Sequence, residues 1–382
     1  MACKLIKNGC LVSSKGYVEE DLLIQNDLIV CDVRNIDNNN LEIIDASDCY
    51  VTSGLIDIHV HGGKGCNFLE CSDKLIKILK TDFLKHGVTT FLPTIMSASK
   101  DKMINNIQFL TNYIQNQDKT LPEALYINLE GPFLSVEYKG IHQEEDLRQV
   151  NTELLEELIS NKVKIITIAP ELDDNGYLIS SLISRNIVVS IGHTSATYKQ
   201  AIDAIDAGAT LATHLFNGMI PFHHRKPGLL PAILLKDSVY TEIIADGEHV
   251  HPAAIELVLK TKPSDKIILI SDSIPLRDCP EMDYYIGKDK IFISGNKPVN
   301  ANGVISGSIL TIDKAVRNIV NWGLADFKTA ISFVTSNPAK LLGIENIYGN
   351  LCHGTSANIV LWDKKTLNIK ATIVNGKCYW ID

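Results

Sequence analysis

Short apolar, β-branched runs recur through the middle of the chain, at Thr90–Pro93, Leu125–Leu129, Lys164–Ile168, Ile187–Ile191, Thr210–Thr213, Tyr240–Ile244 and Ile267–Ile270. Between them lie segments with apolar residues at helical spacing, such as Asp73–His86, Thr152–Ser160, Tyr198–Ala207 and Pro252–Lys260. Strands alternating with helices specify a parallel α/β sheet. Seven or eight such units over roughly 290 residues predict a closed (β/α)8 barrel of the TIM type, a fold of ~250 residues plus insertions. A doubly wound open sheet is the alternative, but no Gly-x-Gly-x-x-Gly follows the first central strand, which argues against a dinucleotide site.

The two ends are patterned differently. Lys4–Val12 and Asp21–Val30 are short β-rich runs set apart by the turn-formers Gly16 and Asn38-Asn39-Asn40. Ala357–Asp363, Ile369–Val374, an Asn375-Gly376 turn and Tyr379-Trp380 repeat that pattern at the far end. Two β-rich ends flanking a barrel predict strands that pair into one small β domain.

Chemistry-bearing residues fall where these runs stop. The run ending Ile56-Asp57-Ile58 delivers His59 and His61, Leu125–Leu129 delivers Glu130, Val188–Ile191 delivers His193, and Leu211–Thr213 delivers His214. Ile243-Ile244 leads into Asp246 and His249, and Ile267–Ile270 delivers Asp272. Strand C-termini of a barrel open onto one face, so residues distant in sequence would converge there. His59 and His61, at i and i+2 on a strand, point to the same side and can reach one ion. Imidazoles and a carboxylate without thiolate suit Zn²⁺, Fe²⁺, Mn²⁺ or Co²⁺. A catalytic ion of this kind brings the pKa of its water toward ~7, which supports hydrolysis. Asp272, at the end of IILISD, is placed to pass a proton from that water to a leaving group; a further metal ligand or a turn-forming residue are its other readings.

Composition narrows the classes. The chain has 382 residues, 45% of them hydrophobic and 21% charged, which is globular rather than disordered. With 36 basic and 45 acidic residues its formal charge is −9, which argues against nucleic-acid or polybasic membrane binding. Met1–Leu11 lacks the apolar core of a secretory signal, and no apolar run approaches the ~18 residues of a membrane span. The nine cysteines, scattered singly, read as reduced thiols of a cytoplasmic protein, with Cys66 and Cys71 weak candidates for soft metal ligands. Against the acidic background His223-His224-Arg225-Lys226 stands out between two prolines, an arrangement suited to an anion such as phosphate or to a solvated loop. Glu144-Glu145-Asp146 reads as a solvated face.

The longer motifs carry a resemblance. They are GLIDIHVHG (Gly54–Gly62), GVTTFLPT (Gly87–Thr94), LEGPF (Leu129–Phe133), KGIH (Lys139–His142) and IGHT (Ile191–Thr194). They continue with THLFNGM (Thr213–Met219), HHRKPG (His223–Gly228), DGEHVHP (Asp246–Pro252), ISGS (Ile305–Ser308) and SNPAKLLGI (Ser336–Ile344). Over nearly its whole length the chain resembles the N-acetylglucosamine-6-phosphate deacetylase family of the amidohydrolase superfamily. The resemblance implies a barrel over residues 54–352 and a β-sandwich made of residues 1–53 and 353–382. It implies release of acetate from N-acetyl-D-glucosamine 6-phosphate, with Glu130, His193 and His214 on a main metal and His59 and His61 completing a second site. One or two divalent ions are thus expected, zinc first, with iron, manganese or cobalt as alternatives. Asp272 matches the acid/base and His142 the group that polarises the amide carbonyl. Asn217, Gly218, Ile305, Ser306 and Gly307 match positions that contact substrate, and Arg225 and His249 positions that bind phosphate, the arginine crossing from the neighbouring subunit of a homodimer.

Three departures stand out. Gly218 replaces a usual alanine, Ser271-Asp272-Ser273-Ile274 replaces a usual Thr-Asp-Ala-Met, and Lys226 replaces a usual acidic residue. The rival readings are another amidohydrolase, such as a cyclic-imide hydrolase or a deaminase, and a barrel scaffold without catalysis. The first commonly bridges its metals with a carboxylated lysine, where this chain has Glu130; the second should have lost its ligands.

Overall fold

The run Val88–Met96 (VTTFLPTIM) is buried at every position, as a strand must be when both faces of its sheet are covered. In the computed structural model, which describes residues 3–13, 16–30, 41–173 and 175–381, it is the second of eight parallel strands. The others are Leu55–Val60, Ile127–Glu130, Val163–Ile168, Val188–Ile191, Leu211–Ala212, Tyr240–Ile243 and Ile267–Leu269, and each pairs with the next in chain order. The first and eighth are bridged by Asp272 N–H donating to the His59 carbonyl (2.9 Å) and by the Ser271 hydroxyl donating to Asp57 (2.5 Å). The expected (β/α)8 barrel is therefore present.

Helices cover its outside because their apolar residues lie on one stripe. Asp73–Lys85 buries Ile76, Leu79 and Phe83, and starts where the Ser72 hydroxyl accepts from Leu75 N–H. Tyr198–Asp206 starts with a reciprocal cap between Thr197 and Gln200. Lys100–Asn116, Tyr177–Ser184, Leu229–Leu235 and Ile312–Asn321 supply further helices that the apolar spacing had not singled out. Among the described residues no helix is long and apolar enough to cross a membrane.

The terminal strands do pair. Cys49–Ser53 runs antiparallel to Ile359–Asp363 inside a six-stranded sheet that also holds Cys10–Ser13, Gly16–Glu19, Ile369–Val374 and Lys377–Trp380. A four-stranded sheet of Cys3–Lys7, Leu22–Gln25, Leu28–Val30 and Leu41–Asp45 packs against it. Ile6, Ile24 and Ile44 from one sheet meet Val51, Leu361 and Ile373 from the other in a shared core. The expected runs Lys4–Val12 and Asp21–Val30 are each two strands, because Asn8 and Asn26 take positive φ and turn the chain. The Asn38-Asn39-Asn40 turn and Cys31 lie outside the described residues, and the described cysteines are free thiols.

Past the eighth strand an excursion forms a three-stranded antiparallel sheet, Tyr284–Ile286, Asp289–Ser294 and Lys297–Val299. Tyr284 and Ile286 join Met96, Ile274 and Leu276 in a small apolar cluster at the mouth of the barrel. The short apolar run Ile291-Phe292-Ile293, bounded by Gly287 and Gly295, was the available signal for this element.

Candidate active site

Five strand ends deliver their side chains to one point. Glu130, the last residue of the third strand, lies with Oε1 2.9 Å from His214 Nε2 and 3.1 Å from His193 Nε2. Its Oε2 is 3.2 Å from both His61 Nε2 and His142 Nε2. Asp272 Oδ1 is 3.2 Å from His61 Nε2 and 3.6 Å from His59 Nε2. Two compact sets result, Glu130–His193–His214 and His59–His61–Asp272, each with its ligand atoms within 4.8 Å of one another. All six side chains are buried.

Those positions require unusual backbone. His193, His214, Phe216 and Asp272 have φ of 46°, 25°, 81° and 48°, where a residue other than glycine costs about 1–3 kcal/mol. Neighbours hold them there. Glu171 accepts from Ser195 N–H at 2.6 Å and from the Thr194 hydroxyl, just beyond His193. Ser308 N–H donates to the Asp272 carbonyl at 2.8 Å. Gly307, at φ 63°, lets that segment approach: a Cβ there would lie 2.4 Å from the Ile274 side chain. At Gly218, φ 60°, a Cβ would stand 2.9 Å from His193 Nδ1, so the departure from alanine removes a close contact with a ligand ring.

Hydrogen bonding assigns the tautomers. The Tyr138 carbonyl accepts from His193 Nδ1 (2.9 Å) and Glu242 from His59 Nδ1 (3.0 Å), so both rings turn Nε2 inward. His142 is reversed. Its Nδ1 accepts from Ser97 N–H (3.3 Å), leaving Nε2 as a hydrogen donor toward the cavity.

Charge follows from this packing. Burial opposes charging of His59 and His61, yet the Glu242, Glu130 and Asp272 carboxylates outweigh it and raise the two to about 10 and about 9. His214 moves up for the same reason, Glu130 overcoming its burial. Burial likewise opposes ionisation of Glu130 and Asp272, but the surrounding imidazoles hold both carboxyls below their ordinary range. Burial keeps His142 neutral instead, down at about 4, despite Glu130. A pocket that draws protons onto its imidazoles has the electrostatics of a cation site. Its donors, nitrogen and carboxylate oxygen without sulfur, suit a divalent ion of the zinc or iron type.

A cavity of about 210 Å³ opens above Glu130. His61, His142, His193, His214 and Asp272 form its floor, and Asn217, Gly218, His249, Ile305, Ser306 and Gly307 stand along its walls. His249 is oriented by Asp246, 2.6 Å from its Nδ1, which leaves Nε2 uncommitted. His59 is wholly buried behind His61. Arg225 is the exception among the expected site residues: it lies on an exposed loop, 2.8 Å from His224, outside the cavity of its own chain. Glu242, Glu171 and Asp57 belong to the site and were missed from sequence. A Glu inside Tyr240–Ile243 or after Ala169-Pro170, and an Asp two before an HxH, carry no local mark of what they touch.

The comparisons agree with this geometry. Residues 50–379 match the model of the amidohydrolase family. The N-acetylglucosamine-6-phosphate deacetylase of Lysinibacillus sphaericus is 32% identical over 98% of this chain and 97% of its own length. This chain belongs to the amidohydrolase family, in its N-acetylglucosamine-6-phosphate deacetylase group. Among solved structures of the group, the Pasteurella multocida deacetylase superposes with a TM-score of 0.91 at 29% identity, covering 99% of this chain and 100% of that one. A Mycobacterium smegmatis deacetylase variant, in complex with N-acetyl-D-glucosamine-6-phosphate, gives 0.90 at 27% identity, covering 99% of both chains. Membership in this group and the two side-chain sets together point to a divalent metal.

Proposed function

We propose that this chain hydrolyses the acetamide of N-acetyl-D-glucosamine 6-phosphate to D-glucosamine 6-phosphate and acetate. One observation carries the reading. Glu130, His193 and His214 converge beside an ionised Asp272 and a neutral His142 at the floor of a sugar-sized cavity. The named substrate of the group's relatives and the phosphosugar in the Mycobacterium smegmatis complex support it.

Glu130, His193 and His214 would hold the main ion, and His59, His61 and Asp272 a second, with zinc the first expectation. A divalent ion there supplies Lewis acidity at the amide carbonyl and hydroxide at neutral pH. The chain's own groups do the rest. Asp272, held as carboxylate, accepts the proton of the attacking water and returns it to the amine as the C–N bond breaks. His142 presents Nε2–H to the carbonyl oxygen, where negative charge develops in the transition state. The Asn217 side chain and the Ile305–Gly307 backbone face the sugar. His249 holds the phosphate from one side, and Arg225 of the partner subunit in a homodimer completes that site. Anchoring the phosphate fixes the distant amide over the floor and removes much of the entropic barrier to attack.

Acetate release tests this directly. Purified enzyme is expected to release acetate from N-acetylglucosamine 6-phosphate, and far less from unphosphorylated N-acetylglucosamine. Chelation should abolish turnover and added Zn²⁺, Mn²⁺ or Co²⁺ restore it. Equal rates on both sugars, or release untouched by chelation, would remove the assignment.

A further inference from the structure

Glu242 lies on the seventh barrel strand, 1% exposed, beneath both ligand sets. Its Oε2 stands 3.0 Å from His59 Nδ1 and accepts from the backbone N–H of His214 at 3.2 Å. Among the described residues no lysine or arginine comes within ion-pair distance of it, and His59 is its one ionisable partner. A carboxylate withdrawn this far from water is strongly disfavoured unless nearby positive charge compensates it. A ligating imidazole is neutral, so with one amide it offers small compensation, whereas a divalent ion seated on the opposite nitrogen of the same ring offers much more.

We propose that Glu242 is a positioning residue for the second cation set, His59–His61–Asp272. By accepting from Nδ1 it fixes His59 in the tautomer whose Nε2 is a bare lone pair, and it aims that lone pair 3.6 Å from Asp272 Oδ1. Its charge adds to those of Glu130 and Asp272 against the two ions. Through the same oxygen it holds the strained backbone at His214, so one atom braces a ligand from each set. His61 and His214 make the asymmetry plain: both have Nδ1 buried without a partner, and of the second set His59 alone has its Nδ1 braced by a carboxylate.

The inference rests on the divalent-ion reading of the pocket but not on the identity of the sugar. Its test therefore uses ion binding without substrate. Metal-stripped enzyme is titrated with Co²⁺, followed by the d–d absorption of the ion and by metal analysis after gel filtration. Wild type is expected to take up two ions per chain. Glu242→Met keeps the volume and removes the acceptor, and it should weaken the second ion 10–100-fold while changing the first by only a few-fold. Glu242→Gln can keep an acceptor oxygen but loses the charge, so its second-ion affinity should fall between the two. Should the Met variant fail to fold, as judged by circular dichroism, the Gln variant decides the question. Wild-type affinity for the second ion in whichever variant decides, equal loss of both ions, or a wild type that binds a single ion would each overturn the proposal. Absent deacetylation with two ions bound would instead overturn the substrate assignment alone.

Discussion

Asp272 combines three restraints on one carboxylate. Its backbone is held at φ 48° between the His59 carbonyl and Ser308 N–H, and its side chain faces two imidazoles. An acid/base so fixed needs no reorganisation to meet its proton. Asp272→Asn is expected to lower kcat by about 10²–10⁴ while the ion on Glu130, His193 and His214 stays bound. Steady-state kinetics beside metal analysis of the same sample check this, and near-wild-type turnover would exclude Asp272 as the proton carrier. At this scale the sequence was most readable where a polar residue ended an apolar run, because a barrel sends every such end to one mouth. Glu130, His193, His214 and Asp272 were legible for that reason. Glu242 was not, since its meaning lies in a contact with His59, 183 positions away. The positive φ values at His193, His214 and Phe216 were equally hidden, no glycine or asparagine marking them.

Among the elements, the helix Ile312–Asn321 shows how a buried charge anchors a helix on the barrel. Asp313 in its first turn lies 3.1 Å from His86 at the end of Asp73–Lys85 and 2.6 Å from Arg317 one turn on. Burial opposes ionisation of Asp313, but the hydrogen bond from His86 and the nearby Arg317 guanidinium hold its carboxyl at about 2, below the ordinary 3.8. A depressed carboxylate stabilises the fold above its unfolded pKa and loses that contribution as pH falls through its folded one. Asp313→Asn is therefore expected to cost about 2 kcal/mol at pH 7. The gap to wild type should narrow below pH ~4 and close near pH ~2, which denaturant midpoints across that range would check. The strands of the barrel were legible as buried β-branched runs, to within two or three residues at most ends. The sheet of Tyr284–Val299 was not, because its apolar runs are only three residues long and its partners Met96 and Ile274 are supplied by the fold.

The whole molecule leaves one expected ligand outside its own cavity. Arg225 sits on the exposed loop Pro221–Lys226, so the homodimer reading makes a sharp demand. Arg225→Ala should raise KM for the phosphorylated sugar about 10–100-fold with kcat little changed, the loss of one charged hydrogen-bonding partner. Mixed dimers of Arg225→Ala and Asp272→Asn subunits should recover one low-KM site, since an intact arginine then faces an intact carboxylate. Kinetics of co-expressed, separately tagged subunits would reveal it, and no recovery would place the arginine in cis or remove it from the site. The pairing of Cys49–Ser53 with Ile359–Asp363 has its own consequence. Roughly 300 residues separate these strands, and a ribosome adding ~5–20 residues per second needs roughly 15–60 s to cover that distance. Through that interval the edge that will receive Ile359–Asp363 stands open on the nascent chain, a sticky flank inviting chaperones or stray sheets until its partner strand has been made.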